Sequence, residues 1–253
     1  MTDPRPRTFT DVRWFSELGS TNTWLLAAAE AGIPEGTVVV ADRQSAGRGR
    51  LGRRWESAPG SGLLTSLLFR PRLEPGDLFS VAALAALAAR DAIGAIASVK
   101  AGVKWPNDLV VEDAKLAGVL SETRGAGTAE LAVVVGIGIN VSWPMPGREA
   151  TELNATCLDA LAGRPVDRKR LLEALLDAVE ARHPRLDDAA GRAGLIRELE
   201  SCTVTIGRRV RVELPEETFS GTAVSLDELG HLVVDADGNR RVVSAADVVH
   251  LRE

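Results

Sequence analysis

The chain has 253 residues, 45% of them hydrophobic and 26% charged, and its 35 acidic against 30 basic residues give a formal net charge of −5. That length and apolar content suit one large domain, or a large and a small one, around a substantial core, while the acidic balance speaks against a general nucleic-acid track. Two cysteines, Cys157 and Cys202, make neither a disulfide framework nor a zinc site, and the scattered His183, His231 and His250 fall in no ligand or nucleophile–base spacing.

Residues 1–10 are polar and proline-bearing, with no apolar signal-peptide core. Residues 14–18 predict a short strand. Ser20-Thr21-Asn22-Thr23 then offers N-caps for a helix through Ala31. The β-branched run 37–41 predicts the next strand, followed by Gln44 and a loop of glycines and arginines. Residues 63–69 predict a strand ended by Arg70-Pro71, and Asp77 is positioned to cap a long helix to about Ala97. That helix approaches membrane length, but it is mostly alanine and carries Arg90 and Asp91, so it reads as a buried core helix. Cytoplasmic residence without a membrane is the resulting expectation.

Residues 103–105 and 109–111 predict strands around the turn Pro106-Asn107-Asp108. Two more, 116–122 and 131–141, flank Gly125-Ala126-Gly127. Asp167 caps a predicted amphipathic helix through His183, and another spans 189–200. After Cys202 the pattern changes to short β-type runs, 203–206, 209–214, 218–226, 231–234 and 240–243, separated by turn signals. A boundary near Ser201 divides residues 1–201, a large domain, from 202–253, a small barrel or sandwich.

Four polar patches interrupt the large domain. Ser20-Thr21-Asn22 is explained by helix capping alone, although a ligand at that helix start would meet its hydroxyls. The second patch, Gly47-Arg48-Gly49-Arg50-Leu51-Gly52-Arg53-Arg54-Trp55, sets four planar cationic forks beside glycines and an indole. Such forks take phosphate or carboxylate oxygens in pairs, and the indole offers a face to a flat ring. The third, Lys104-Trp105-Pro106-Asn107-Asp108 with Lys115, places charges among apolar residues, where they are costly unless paired or used. Asp108 would suit Mg²⁺ or a ribose hydroxyl. In the fourth, Gly136-Ile137-Gly138-Ile139-Asn140, strand glycines mark a close backbone approach by another element or by a flat ligand. Dinucleotide and P-loop glycine fingerprints are absent.

In order and spacing these patches, with Lys115-Leu116-Ala117-Gly118, resemble the biotin protein ligases. The Gly-Arg-Gly-Arg-x-Gly-Arg-x-Trp and Lys-Trp-Pro-Asn-Asp strings carry the resemblance, which spans residues 14–143 by motif. It implies an α+β fold, a mixed β-sheet flanked by helices as in class II synthetases, with a small C-terminal SH3-like β-barrel. It also implies a reaction. Biotin and ATP, with Mg²⁺, give biotinyl-5′-AMP, and biotin then passes to one lysine of a biotin carboxyl carrier domain of a carboxylase.

By the same resemblance, Ser20, Thr21, Asn22 and Gln44, with Gly47, Gly118 and Gly138, would hold biotin. Arg48, Arg50 and Arg53 would hold phosphates and fold the loop over the product, Arg48 also reaching biotin. Lys115 would bridge the biotin carboxyl oxygen and the α-phosphate, making Lys115, Arg50 and Arg48 the catalytic set. Trp55 would pack near the adenine, and Asn107, Asp108 and Asn140 would contact the nucleotide side and its Mg²⁺. About thirteen residues precede the first strand, too few for a helix-turn-helix, so the resemblance is to the monofunctional form and DNA binding is not expected. Oligomeric state stays open between monomer and weak dimer. A lipoate–protein ligase is the nearest rival, separable by which acid drives pyrophosphate exchange. A non-catalytic nucleotide or RNA sensor is the other, and biotin-dependent ATP turnover would exclude it.

Overall fold

Alternation of apolar side chains along the strands sorts the molecule into layers. A computed structural model describes residues 6–128, 130–142, 154–244 and 246–251, so half of the polar N-terminal segment lies outside the described residues. The chain opens with β1 (Asp11–Leu18), α1 (Thr21–Glu30), β2 (Thr37–Gln44), β3 (Gly62–Phe69) and α2 (Phe79–Ala97). Then come β4 (Gly102–Lys104), β5 (Asp108–Val111), β6 (Ala114–Arg124) and β7 (Ala132–Asn140). Three helices follow, α3 (Leu158–Ala162), α4 (Arg168–Arg182) and α5 (Ala189–Ser201). The seven strands form one mixed sheet in the order β1-β2-β3-β7-β6-β5-β4, in which only β1 and β2 are parallel, joined by the crossover helix α1.

Successive strand residues point to opposite faces. Val38 and Val40 of β2, and Val133, Val135, Ile137 and Ile139 of β7, meet α2, α4 and α5 on one face. Val39 and Val134 meet Leu25, Leu26 and Ala29 of α1 on the other. The long apolar helix α2 is thus a core helix, buried from Val81 to Ala97 along its inner side. Asp77 does not cap it. It ends a 3-10 turn, its carboxylate lies on Arg192 at 3.1 Å, and Leu78 takes the cap position without a side-chain bond. Asp167 does cap α4, accepting from the amides of Lys169 and Arg170.

A second sheet holds β8 (Arg209–Glu213), β9 (Thr218–Leu226), β10 (Leu232–Ala236), β11 (Asn239–Val243) and β12 (Asp247–His250), all antiparallel, in the order β11-β10-β9-β8-β12. Its edge strands β11 and β12 share no ladder among the described residues, so the expected SH3-like barrel is met only as a five-stranded antiparallel sheet. The strand predicted at 203–206 does not form. There the chain turns along β4 instead, with Val103 N donating to Cys202 O (2.9 Å) and Val204 N to Val103 O (2.8 Å). One apolar core runs from the large sheet through α5 into the small one.

Candidate active site

The α1 face of the large sheet is only partly covered, because α1 is ten residues long. Its first turn rests on β7 at Gly136, where an added Cβ would stand 2.3 Å from Asn22 Oδ1. Beyond that point Gly118 of β6 and Gly138 of β7 sit opposite each other and keep the sheet surface bare. A cleft of about 1000 Å³, including its open mouth, lies over this floor. Of the fifteen residues singled out by sequence, Ser20, Thr21, Asn22, Gln44, Arg48, Arg50, Arg53, Trp55, Asn107, Asp108, Lys115, Gly118 and Gly138 line it.

Two do not. Asn140, at the end of β7, donates Nδ2 to the carbonyls of Lys115 (3.3 Å) and Thr156 (3.0 Å), so the structure gives it a role in tying the chain together. Gly47 lies inside the loop, where its carbonyl accepts from Trp55 N at 3.1 Å; a Cβ there would meet Trp55 O at 2.3 Å. Only glycine allows that approach.

One wall comes from the start of α1 and the ends of β2 and β3. Gln44 Oε1 accepts from Thr21 N at 2.8 Å. Ser66, buried on β3, lies 2.7 Å from Thr21 Oγ1 and 2.6 Å from Asn22 Oδ1. Asn22 Nδ2 donates to Leu120 O (3.1 Å) and Glu122 Oε2 (2.9 Å), so the Asn22 amide is fully engaged within the protein.

The arginine loop crosses the cleft and is held at both ends. Arg48 meets Glu122 at 2.8 Å. Arg50 donates to the carbonyl of Ala246 (3.4 Å) and approaches Asn107 Oδ1 (3.5 Å), while Arg53 pairs with Asp247 on β12. Burial first, and Arg53 beside it, lower the pKa of Arg50 from its ordinary value, against the pull of Asp247 and Asp108. The Trp55 indole lies flat on the floor: Cβ atoms added at Gly138 and Gly118 would stand 2.7 Å and 3.1 Å from the ring. Its Nε1 is buried and has no hydrogen-bond partner among the described residues.

Opposite, Lys115 Nζ meets Asp108 Oδ1 at 2.7 Å and sits 5.4 Å from the Trp55 ring centroid. The turn carrying Asn107 and Asp108 is pinned from below. Trp105 is buried, donating Nε1 to Gly230 O (2.9 Å) and its backbone amide to Thr205 Oγ1 (3.0 Å). Thr205 also contacts His250 Nε2 at 3.0 Å. Burial first, then Lys104 and Arg208, push His250 down to about 4, with Asp113 opposing. Among the described residues no three His, Cys, Asp or Glu side chains group as metal ligands. Asp108 is the counter-ion of Lys115.

Sequence reasoning missed Ser66, Glu122, Ala246 and Asp247. Glu122 had a signal: Gly118 and Leu120 of β6 line the cleft, and strand alternation carries that face on to Glu122, which meets Arg48 and Asn22 there. The contribution from β12 had none.

Comparison with known proteins agrees with this geometry. Residues 14–140 match the Biotin/lipoate A/B protein ligase family, and residues 205–251 match the Biotin protein ligase C terminal domain. A biotin--[acetyl-CoA-carboxylase] ligase of Mycobacterium tuberculosis is 38% identical, over 94% of this chain and 88% of that protein. The bifunctional ligase/repressor BirA of Bacillus subtilis is 34% identical, over 91% of this chain and 71% of its own length. A solved biotin protein ligase from Aquifex aeolicus in complex with biotin and ATP has a TM-score of 0.81 and 29% identity, covering 97% of this chain and all of that one.

Proposed function

The chain belongs to the biotin/lipoate A/B protein ligase family, with the C-terminal domain of its biotin ligases, and from that premise we propose how the cleft divides the work. It is an ATP-dependent ligase that activates biotin as biotinyl-5′-AMP and transfers it to a lysine of a biotin carboxyl carrier domain. In the first step the biotin carboxylate attacks the α-phosphorus and pyrophosphate leaves. In the second, a neutral carrier amine attacks the acyl carbon and AMP leaves.

Both reactants in the first step are anions, so the barrier is largely electrostatic. The convergence of Lys115 with Arg48, Arg50 and Arg53 on one cleft is the observation that carries the reading. Fixed cations at the meeting point lower the repulsion and stabilise charge growing on the phosphoryl oxygens. We assign Lys115 to the oxygens that meet, Arg48 and Arg50 to the α-phosphate and the carboxyl, and Arg53 to the outer phosphates. Ser20, Thr21 and Gln44 read the ureido ring. Mg²⁺ would arrive with the nucleotide, which brings most of its ligands, and Asp108 on the cleft wall would be a carboxylate to receive it.

The Trp55 indole rests on the same glycines that a ligand ring would use, so it rises as ligand enters and packs over the adenylate. With the arginines it then excludes water from the mixed anhydride. Asn107, held by Val119 through Nδ2 at 2.7 Å, stays in place to meet the nucleotide. We place the enzyme in the cytoplasm, acting on a carboxylase carrier domain without binding DNA. Purified protein should catalyse ATP–pyrophosphate exchange only when biotin is present. Exchange driven by lipoate instead, or none with either acid, would overturn the reading.

A further inference from the structure

Glu122 holds a position that the reaction as described does not use. Its side chain is 18% exposed, and its two oxygens face different partners: Oε1 takes Arg48 at 2.8 Å and Oε2 takes Asn22 at 2.9 Å. A carboxylate paired with a guanidinium only accepts hydrogen bonds, so the Asn22 group facing it must be the NH₂. The second Asn22 hydrogen goes to Leu120 O, and Oδ1 therefore turns to Ser66 Oγ, 2.6 Å away. Ser66 has one proton and must give it there. The single Thr21 proton has two acceptors inside the wall, Ser66 Oγ at 2.7 Å and Gln44 Oε1 at 3.1 Å, and with either one it points into the protein. The Thr21 oxygen is left with lone pairs for the cleft. Gln44 is fixed as well, since Oε1 accepts the Thr21 amide proton and Nε2 is left to donate.

We propose that Glu122 is a positioning residue for substrate specificity, its charge acting with the Leu120 carbonyl to fix the sense of Asn22 and, through Ser66, which atoms of this wall donate and which accept. The pattern suits a ureido ring, whose N–H groups need acceptors and whose carbonyl needs donors. A cyclic guanidine is protonated at neutral pH and, like the arginine head group, only donates, so it turns an N–H where the carbonyl oxygen would accept. This inference rests on the assignment of the wall to the ureido group of biotin.

The test is the affinity of wild type, Glu122→Gln, Glu122→Asp and Ser66→Ala for biotin and for 2-iminobiotin, by titration calorimetry, with thermal melts to confirm folding. Gln offers either an oxygen or an NH₂, so the Leu120 carbonyl alone is left to hold the sense of the Asn22 amide. Asp can still only accept. The biotin-to-iminobiotin affinity ratio should fall about tenfold in Glu122→Gln and in Ser66→Ala, and the double variant should lose no more than either, because both cut one chain. Glu122→Asp should keep most of the ratio even where both affinities drop. KM for biotin should rise in Glu122→Gln with kcat changed far less. A folded Glu122→Gln with the wild-type ratio, or a Glu122→Asp that loses the ratio equally, would overturn the relay while leaving the site assignment intact. Wild type that binds no biotin would overturn both.

Discussion

The arginine loop is fastened from the C-terminal sheet, so Asp247→Ala tests whether that sheet governs closure. Asp247 pairs with Arg53, and its charge also acts on the half-buried Arg50. The Arg53 side chain is 68% exposed, and water screens most of that pair, leaving about 1 kcal/mol at most. The Arg50 hydrogen bonds to the Ala246 carbonyl do not involve the Asp247 side chain and survive its removal. Support for Arg50 adds a similar amount, so the loop loses roughly 1–2 kcal/mol of closure, a factor of about 5–30 in the open fraction. The assay forms biotinyl-5′-AMP on the enzyme in a single turnover and follows its release after a chase. Release should quicken by that factor at low salt. The difference should shrink near 1 M salt, where the screening length is about 3 Å. An Arg53→Ala and Asp247→Ala double-mutant cycle should show coupling of about 1 kcal/mol. Wild-type release at low salt, or no coupling in the cycle, would refute the latch.

Lys115→Ala should cost on the order of 3 kcal/mol of adenylation barrier, by comparison with loss of one oxyanion donor, seen as a fall of more than a hundredfold in biotin-dependent pyrophosphate exchange; unchanged exchange would remove Lys115 from the chemistry. Gly138→Ala should lift Trp55, since the new Cβ falls 2.7 Å from the ring, and should shrink the change in tryptophan emission expected when biotin and ATP are added together to wild type. A Trp55→Phe control assigns that signal, and a normal response in Gly138→Ala would place the indole elsewhere. His250 is held neutral, with a pKa near 4 against an ordinary 6.5. Between those values the unfolded chain binds a proton that the folded chain refuses. Stability therefore falls as pH drops through that window, by about 3 kcal/mol in all. His250→Gln should remove that component, so urea titrations of the two proteins should converge from pH 7 to pH 4.5; a constant gap would disprove it.

Local chemistry decided what was legible in the sequence. The strand runs at 37–41 and 63–69 carry their own β-branched and aliphatic signal, and Asp167 caps α4 because an N-cap acts on its own next turn. Asp77 failed as a cap because a distant arginine, Arg192, took its carboxylate. Residues 203–206 looked like a strand by composition, yet they lie against the edge of β4, which needs hydrogen bonds more than the small sheet needs a sixth strand. The short α3 and β12 carried too little periodicity to stand out. Within the site, the glycines and cations were readable because their patterns sit within a few residues of one another. Their partners were not, since Glu122 and Asp247 reach the loop from more than sixty residues away, and no spacing rule connects them.

Those partners also explain how an acidic protein keeps so many cations in one cleft. Arg48 rests on Glu122, Arg53 on Asp247 and Lys115 on Asp108. The like-charge repulsion that the loop poses by itself is relieved by three carboxylates on three different elements, β6, β12 and β5. An incoming triphosphate therefore exchanges one set of anions for another and does not meet bare cations. On the proposed assignment the net electrostatic gain of such an exchange is modest, because each cation leaves a partner as it takes a phosphate oxygen, Arg53 pairing with Asp247 again once pyrophosphate has gone. What the exchange alters is geometry. The carboxylates hold the cations apart around the cleft, whereas the reacting phosphate and carboxylate draw them to one point. On the proposed assignment binding is thereby separated from catalysis: Lys115, Arg48 and Arg50 assemble around the pair of oxyanions that must react, where their charge lowers the barrier and not merely the binding energy.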